Sequence, residues 1–137
     1  MSEKFTSEIP IRFRDLDPLN HVNNAVYASY LEEVRSDYIE EVLGLDERDH
    51  AFVLAALEID YERPITIDDD LTIALTVTDL GTTSCTMAYE FLVDGGIVAS
   101  AETTLVRVDP ETKRPEAIPD EICDRVREYE GLEAPAT

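Results

Sequence analysis

A chain of 137 residues holds one domain with a hydrophobic core and is short for two, and an apolar content of 44% separates it from disordered chains of similar charge. Thirty-one Asp and Glu against eleven Lys and Arg give a formal net charge of −20, which excludes nucleic acid as a partner. No apolar run approaches the ~20 residues that span a bilayer, and MSEKFTSEIP has no signal-peptide core, so a cytoplasmic protein with no membrane partner is expected.

The acidity also fits a halophilic origin, because screening at about 1 M salt shortens carboxylate repulsion to roughly 3 Å. Cys85 and Cys123 have no metal-like spacing and read as small, partly buried apolar residues.

Taken in chain order, residues 8–14, EIPIRFR, alternate as a strand, and Pro10 places that strand at an edge or a start. The turn-forming loop RDLDPLNHVNN follows. Asn23 or Asn24 then caps a long helix whose apolar stripe is Tyr27, Tyr30, Leu31, Val34, Tyr38 and Val42, with Gly44 placed to end it. Four strands come next. Residues 51–63 carry Val53, Ala55, Leu57, Ile59 and Tyr61 on one face, and residues 71–80 carry Leu71, Ile73, Leu75 and Val77. Residues 83–93 carry Cys85, Met87, Tyr89, Phe91 and Val93, and residues 97–108 carry Ile97, Ala99, Ala101 and Leu105. A short helix starts with Pro119 and turns Ile122, Val126 and Tyr129 inward, and the tail frays from about 130 to 137. The expected fold is α+β over residues 1–137: a five-stranded antiparallel sheet wrapped around one long central helix, with a short C-terminal helix. That is the hotdog architecture.

The loop before the long helix gathers Arg12, Arg14, Asp15, Asp17, Asn20, His21, Asn23 and Asn24. On spacing alone, a turn-and-cap network stands ahead of a chemical reading. The chemical reading rests on helix physics. A helix start presents free N–H groups and a partial positive charge, which polarise a carbonyl and stabilise the oxyanion formed on attack. A carboxylate a few residues upstream, Asp17, has the layout to attack the carbonyl carbon or to deprotonate a water. Either route suits a thioester.

The stretch FRDLDPLNHVNNAVYASYLEEVR resembles the 4-hydroxybenzoyl-CoA thioesterase family of hotdog proteins, with its short- and long-chain acyl-CoA branches. Phe13, Asp15, Asp17, His21, Val22, Asn23, Asn24, Tyr27, Tyr30, Glu33 and Arg35 match the family pattern or fall within a residue of it, and DYERPITIDDDLTI resembles its later strand-turn-strand segment. The resemblance implies that Asp17 is the catalytic carboxylate and that the backbone N–H near Asn24 polarises the thioester carbonyl. It implies that His21 and the Asn23 side chain shape that end of the pocket, with Tyr27 lining it. It also implies a homodimer or homotetramer with active sites at subunit interfaces. Thr83 and Ser84 begin a strand that could carry them to a neighbouring site as substrate contacts, although strand composition alone explains them. Asn20 stands where the family often has Gly, and Asn tolerates the positive φ of such a turn.

No metal site and no cofactor are expected, coenzyme A entering as part of the substrate. Arg63, Arg107, Lys113 and Arg114 are the candidate contacts for its phosphates. Glu58 is expected in water, Arg35 beside a carboxylate and His50 exposed. Two other functions remain in view: a non-catalytic acyl-CoA-binding or assembly module, and hotdog enoyl-CoA hydration, which needs a His–Asp pair that His21 and Asp17 would have to form.

Overall fold

A computed structural model describes residues 5–45 and 51–132; His50 and residues 133–137 of the tail lie outside the described residues. The strands are β1 Phe5–Ile9, β2 Phe52–Tyr61, β3 Leu71–Leu80, β4 Ser84–Val93 and β5 Gly96–Arg107. The helices are α1 Val26–Glu41 and α2 Asp120–Glu130. The strands form one antiparallel sheet in the order β1-β3-β4-β5-β2, wrapped around α1 as the hotdog fold requires.

Alternation explains the two central strands. Ile73 lies opposite Phe91 and Leu75 opposite Tyr89, and all four are essentially inaccessible to solvent. Cross-strand partners share a face, so this row is the floor on which α1 rests. The helix sends Tyr27, Tyr30, Leu31, Val34 and Tyr38 into that core. Phe5 of β1 meets Tyr38 edge-on at 5.4 Å, and Ser7 Oγ donates to Asp37 Oδ2 at 2.9 Å. Gly44, with φ of 65°, follows the helix where an ending was expected.

Four details differ from the sequence reading. First, the opening strand is Phe5–Ile9, and the alternating Ile11 and Phe13 lie beyond it. Pro10 has no N–H to continue the ladder, and Phe13, 85% exposed, opens a single 3-10 turn, Phe13–Asp15. Second, β2 does not keep one apolar face. A bulge between Leu54 and Ala56 reverses the parity, so Leu54, Leu57, Ile59 and Tyr61 oppose the buried Leu105, Thr103, Ala101 and Ala99, while Val53 points the other way. Third, a register shift between Phe91 and Leu92 on β4 turns Ile97 outward and leaves Val98 and Ala99 buried. Fourth, Pro119 is the N-cap of α2 and not its first residue, and Glu130 is not frayed. Its Oε2 accepts from Tyr38 Oη at 2.7 Å and from the Val77 N–H at 3.0 Å.

Coverage of the sheet is uneven. α1 packs mainly over β1 and β3 and reaches β4 through Tyr27, while α2 packs on β3. The inner side of the edge strand β2 stays open: Leu54, Leu57 and Tyr61 are 47%, 38% and 46% exposed.

Candidate active site

The loop expected to be structured is built around Asp17. Its backbone N–H donates to His21 O at 2.7 Å, and its own carbonyl accepts from Asn20 N–H at 2.9 Å. Asn20 carries φ of 63°, the left-handed conformation foreseen for it. The carboxylate oxygen Oδ1 accepts the N–H groups of Leu19 at 2.9 Å and His21 at 3.2 Å. Oδ2 has no hydrogen-bond partner among the described residues. The loop is tied to the sheet side through Val22 N–H to Ile65 O at 2.8 Å and a bridge between His21 and Thr66.

Asp15, two residues earlier, has a different task. Its Oδ2 accepts from Arg12 N–H at 3.0 Å and from Tyr30 Oη at 2.7 Å, and its carbonyl accepts Asn23 N–H at 2.8 Å. Burial and the adjacent Asp15 carboxylate hold the Tyr30 phenol well above its ordinary pKa, so it remains a donor.

The helix start differs slightly from the expectation. The cap position is Ala25, with no side-chain cap, and Asn23 supplies the stop on both sides of it. Asn23 Oδ1 accepts Ala25 N–H at 2.8 Å, and Asn23 O accepts Val26 N–H at 2.9 Å. The second bond fixes the Asn23–Asn24 peptide. In a trans peptide the N–H opposes the C=O, so Asn24 N–H points out of the helix start. It has no acceptor among the described residues. Aligned helix dipoles give this end its partial positive charge.

Asp17, His21, Val22, Asn24 and Tyr27 share a cleft of about 320 Å³ with Tyr61, Glu62, Arg63 and Pro64. Five residues named from the sequence for this pocket, Asp17, His21, Asn24, Tyr27 and Arg63, are thus brought together. Asn23 stands beside them, holding backbone. Arg63 is turned back on its own strand-to-strand turn, donating to Pro64 O at 2.9 Å and lying 3.5 Å from Asp69. Burial, with Tyr61 next, raises the Tyr27 phenol above its usual range.

Thr83 is not brought there. It precedes β4 by one residue, whereas Phe91, which packs on Tyr27 at 5.1 Å, lies roughly 26 Å further along at strand rise. Arg107 likewise ends β5 at the end remote from Val98, whose carbonyl holds Arg63 N–H, and Lys113 and Arg114 follow it. Within one chain only Arg63 of the four proposed phosphate contacts lines the cleft. Sequence reasoning missed Tyr61 as a site residue. It was assigned to a core face, and only its position two residues before Arg63 pointed elsewhere.

Away from the cleft, Cys85 and Cys123 are buried free thiols, and burial pushes Cys85 up to about 11. Glu58 is exposed, and Arg35 is buried, with Glu32 4.0 Å away. Among the described residues no three His, Cys, Asp or Glu side chains group as metal ligands, and no helix is long and apolar enough to cross a membrane.

Residues 11–126 match the sequence profile of the thioesterase-like superfamily. The chain is 31% identical over 127 residues to the long-chain acyl-CoA thioesterase FadM of Escherichia coli, covering 89% of this chain and 96% of that one. It is 27% identical over 138 residues to the 1,4-dihydroxy-2-naphthoyl-CoA hydrolase of Nostoc punctiforme, covering 94% and 93%. Among solved structures, a Thermus thermophilus thioesterase complexed with coenzyme A and zinc superposes with a TM-score of 0.83 at 36% identity, covering 94% of this chain and 96% of that one.

Proposed function

The chain belongs to the thioesterase-like superfamily and is a thioester hydrolase, and we propose that it cleaves an acyl-CoA to a free carboxylic acid and coenzyme A with Asp17 as its reactive group. The observation that carries this reading is one cleft holding the Asp17 carboxylate and the start of α1. Asp17 Oδ1 is fixed by two backbone N–H groups, which leaves Oδ2 to act. Asn24 N–H and the positive helix end face the position where negative charge develops on the carbonyl oxygen.

In the reaction the C–S bond breaks and a C–O bond forms. Asp17 either attacks the carbonyl carbon, giving a mixed anhydride that water opens, or removes a proton from the attacking water. The departing thiolate ends as the thiol of coenzyme A. Neither route calls on a metal or redox cofactor. Tyr27 and Tyr61 wall the acyl side, and Arg63 supplies positive charge at the rim.

The working unit in this reading is a homodimer or a homotetramer. β2 is an unpaired edge whose inner side exposes Leu54, Leu57 and Tyr61 next to the cleft. A second copy pairing along β2 would cover those side chains and bring its own residues, Thr83 and the cations near Arg107 among the candidates, toward the first cleft. A cytoplasmic setting at high salt belongs to the same proposal, since it answers the charge of −20. The motif around Asp17 favours the 4-hydroxybenzoyl-CoA thioesterase type. Enoyl-CoA hydration has less support, because the contact between His21 and Asp17 runs through the His21 backbone and not its ring.

Replacing Asp17 by Asn keeps the size of the side chain and removes its charge. The variant is expected to retain the wild-type fold by circular dichroism and to lose about 100- to 10,000-fold in thiol release from acyl-CoA. Wild-type turnover in that variant rejects Asp17 as the reactive group.

A further inference from the structure

Tyr61 is the last residue of β2, paired with Ala99 of β5. The next two N–H groups, of Glu62 and Arg63, both reach Val98 O, at 3.0 and 3.2 Å, so this end of the strand is pinned to β5. The Tyr61 ring meets Tyr27 edge-on at 4.8 Å and 79°, and Tyr27 in turn lies on Phe91. From that position Tyr61 Oη donates to the Asn24 carbonyl at 2.9 Å.

That carbonyl belongs to the Asn24–Ala25 peptide, whose N–H end donates to Asn23 Oδ1. The peptide is therefore clamped at both ends, by Tyr61 from the sheet and by Asn23 from the loop. The preceding peptide, which carries Asn24 N–H, is held by Asn23 O to Val26 N–H. Two planar peptides meet at the Asn24 Cα, and holding both planes sets φ and ψ there. Asn24 is exposed and lies two residues before Val26, the first helical residue. Tyr61 is 46% exposed, so its hydroxyl has water as an alternative partner. The bond to Asn24 therefore contributes orientation more than net stability.

We propose that Tyr61 is a positioning residue for catalysis: through the Asn24 carbonyl it holds the adjoining Asn24 N–H in line with the thioester oxygen. This rests on the reading of Asn24 as the oxyanion donor. It also makes the edge strand β2 part of the active-site apparatus, since the hydroxyl that orients the donor is carried by the sheet and not by the helix.

The test compares Tyr61→Phe, Tyr61→Leu and Asp17→Asn with wild type, using kcat and KM for thiol release from an acyl-CoA and the backbone amide spectrum. Tyr61→Phe removes only the hydroxyl. It is expected to lower kcat about 3- to 10-fold with KM unchanged and to move the Asn24 and Ala25 amide resonances. Tyr61→Leu removes the cleft wall as well and is expected to raise KM in addition. An unchanged kcat in Tyr61→Phe, or a change confined to KM, overturns the positioning role while Asp17→Asn remains inactive. Full activity of Asp17→Asn instead overturns the site reading on which the proposal rests.

Discussion

The two aspartates of the D-x-D sequence show how residues of one type divide labour. Asp15 is consumed by structure: it terminates the 3-10 turn, receives the Tyr30 hydroxyl and, through its carbonyl, receives Asn23 N–H. Asp17 is held by one oxygen only, at the edge of a cleft. Spacing identified both residues but could not separate these roles, because the separation depends on Tyr30 arriving from the helix fifteen residues away. A second residue-scale consequence concerns pH. Burial raises the folded-state pKa of Cys85 to about 11 from an ordinary value near 9, and it raises the Tyr30 and Tyr38 phenols as well. A group with a raised folded pKa favours the folded state below its unfolded pKa, and that contribution disappears as pH rises through the folded value. Urea unfolding is therefore expected to show stability falling from about pH 9 to about pH 11, and Cys85 is expected to resist alkylation at pH 8 in the native protein. Rapid alkylation of Cys85 without unfolding would contradict its burial.

At the scale of elements, β3 and β4 were legible because strict alternation of apolar residues leaves one arrangement that buries them. The bulge in β2 was not legible. One extra residue reverses the parity of a strand, and no residue type near Leu54 and Ala56 announces it. The first strand was misplaced for a related reason: Ile9, Ile11 and Phe13 keep a period of two after the ladder has ended at Ile9. The role of Glu130 was hidden by its place in an acidic tail. Its carboxylate fastens the end of α2 to Tyr38 of α1 and to the Val77 N–H, which sits where the β3–β4 register shifts. Two hydrogen bonds converging on one carboxylate oxygen make this a clamp between three elements. Glu130→Ala is expected to cost about 2–4 kcal/mol in urea unfolding. A double-mutant cycle with Tyr38→Phe should return a clear coupling, and additivity of the two substitutions would show that the contact carries no weight.

For the whole molecule, the proposed function asks a chain of net charge −20 to handle a polyanionic substrate. Within one chain the cleft offers Arg63 against Glu62 and Asp17, and Arg63 already lies near Asp69. The other cations proposed for phosphate contact stand at the far end of the sheet, which is one reason to place a second copy along β2. The sequence disclosed the charge and which residues gather in the loop. It could not disclose which end of the sheet each cation occupies, because that follows from strand order and direction. Salt is the natural probe of this balance: the screening length shrinks from about 10 Å at 0.1 M to about 3 Å at 1 M. The most direct measurement of the central claim is thiol release from a panel of acyl-CoAs, varied in chain length and aromaticity, at low and at molar KCl. The account expects release of free coenzyme A from at least one class of acyl-CoA, with KM falling as KCl rises. Tight binding of acyl-CoA with no thiol released at any salt concentration would contradict it and would identify the chain as a binding module.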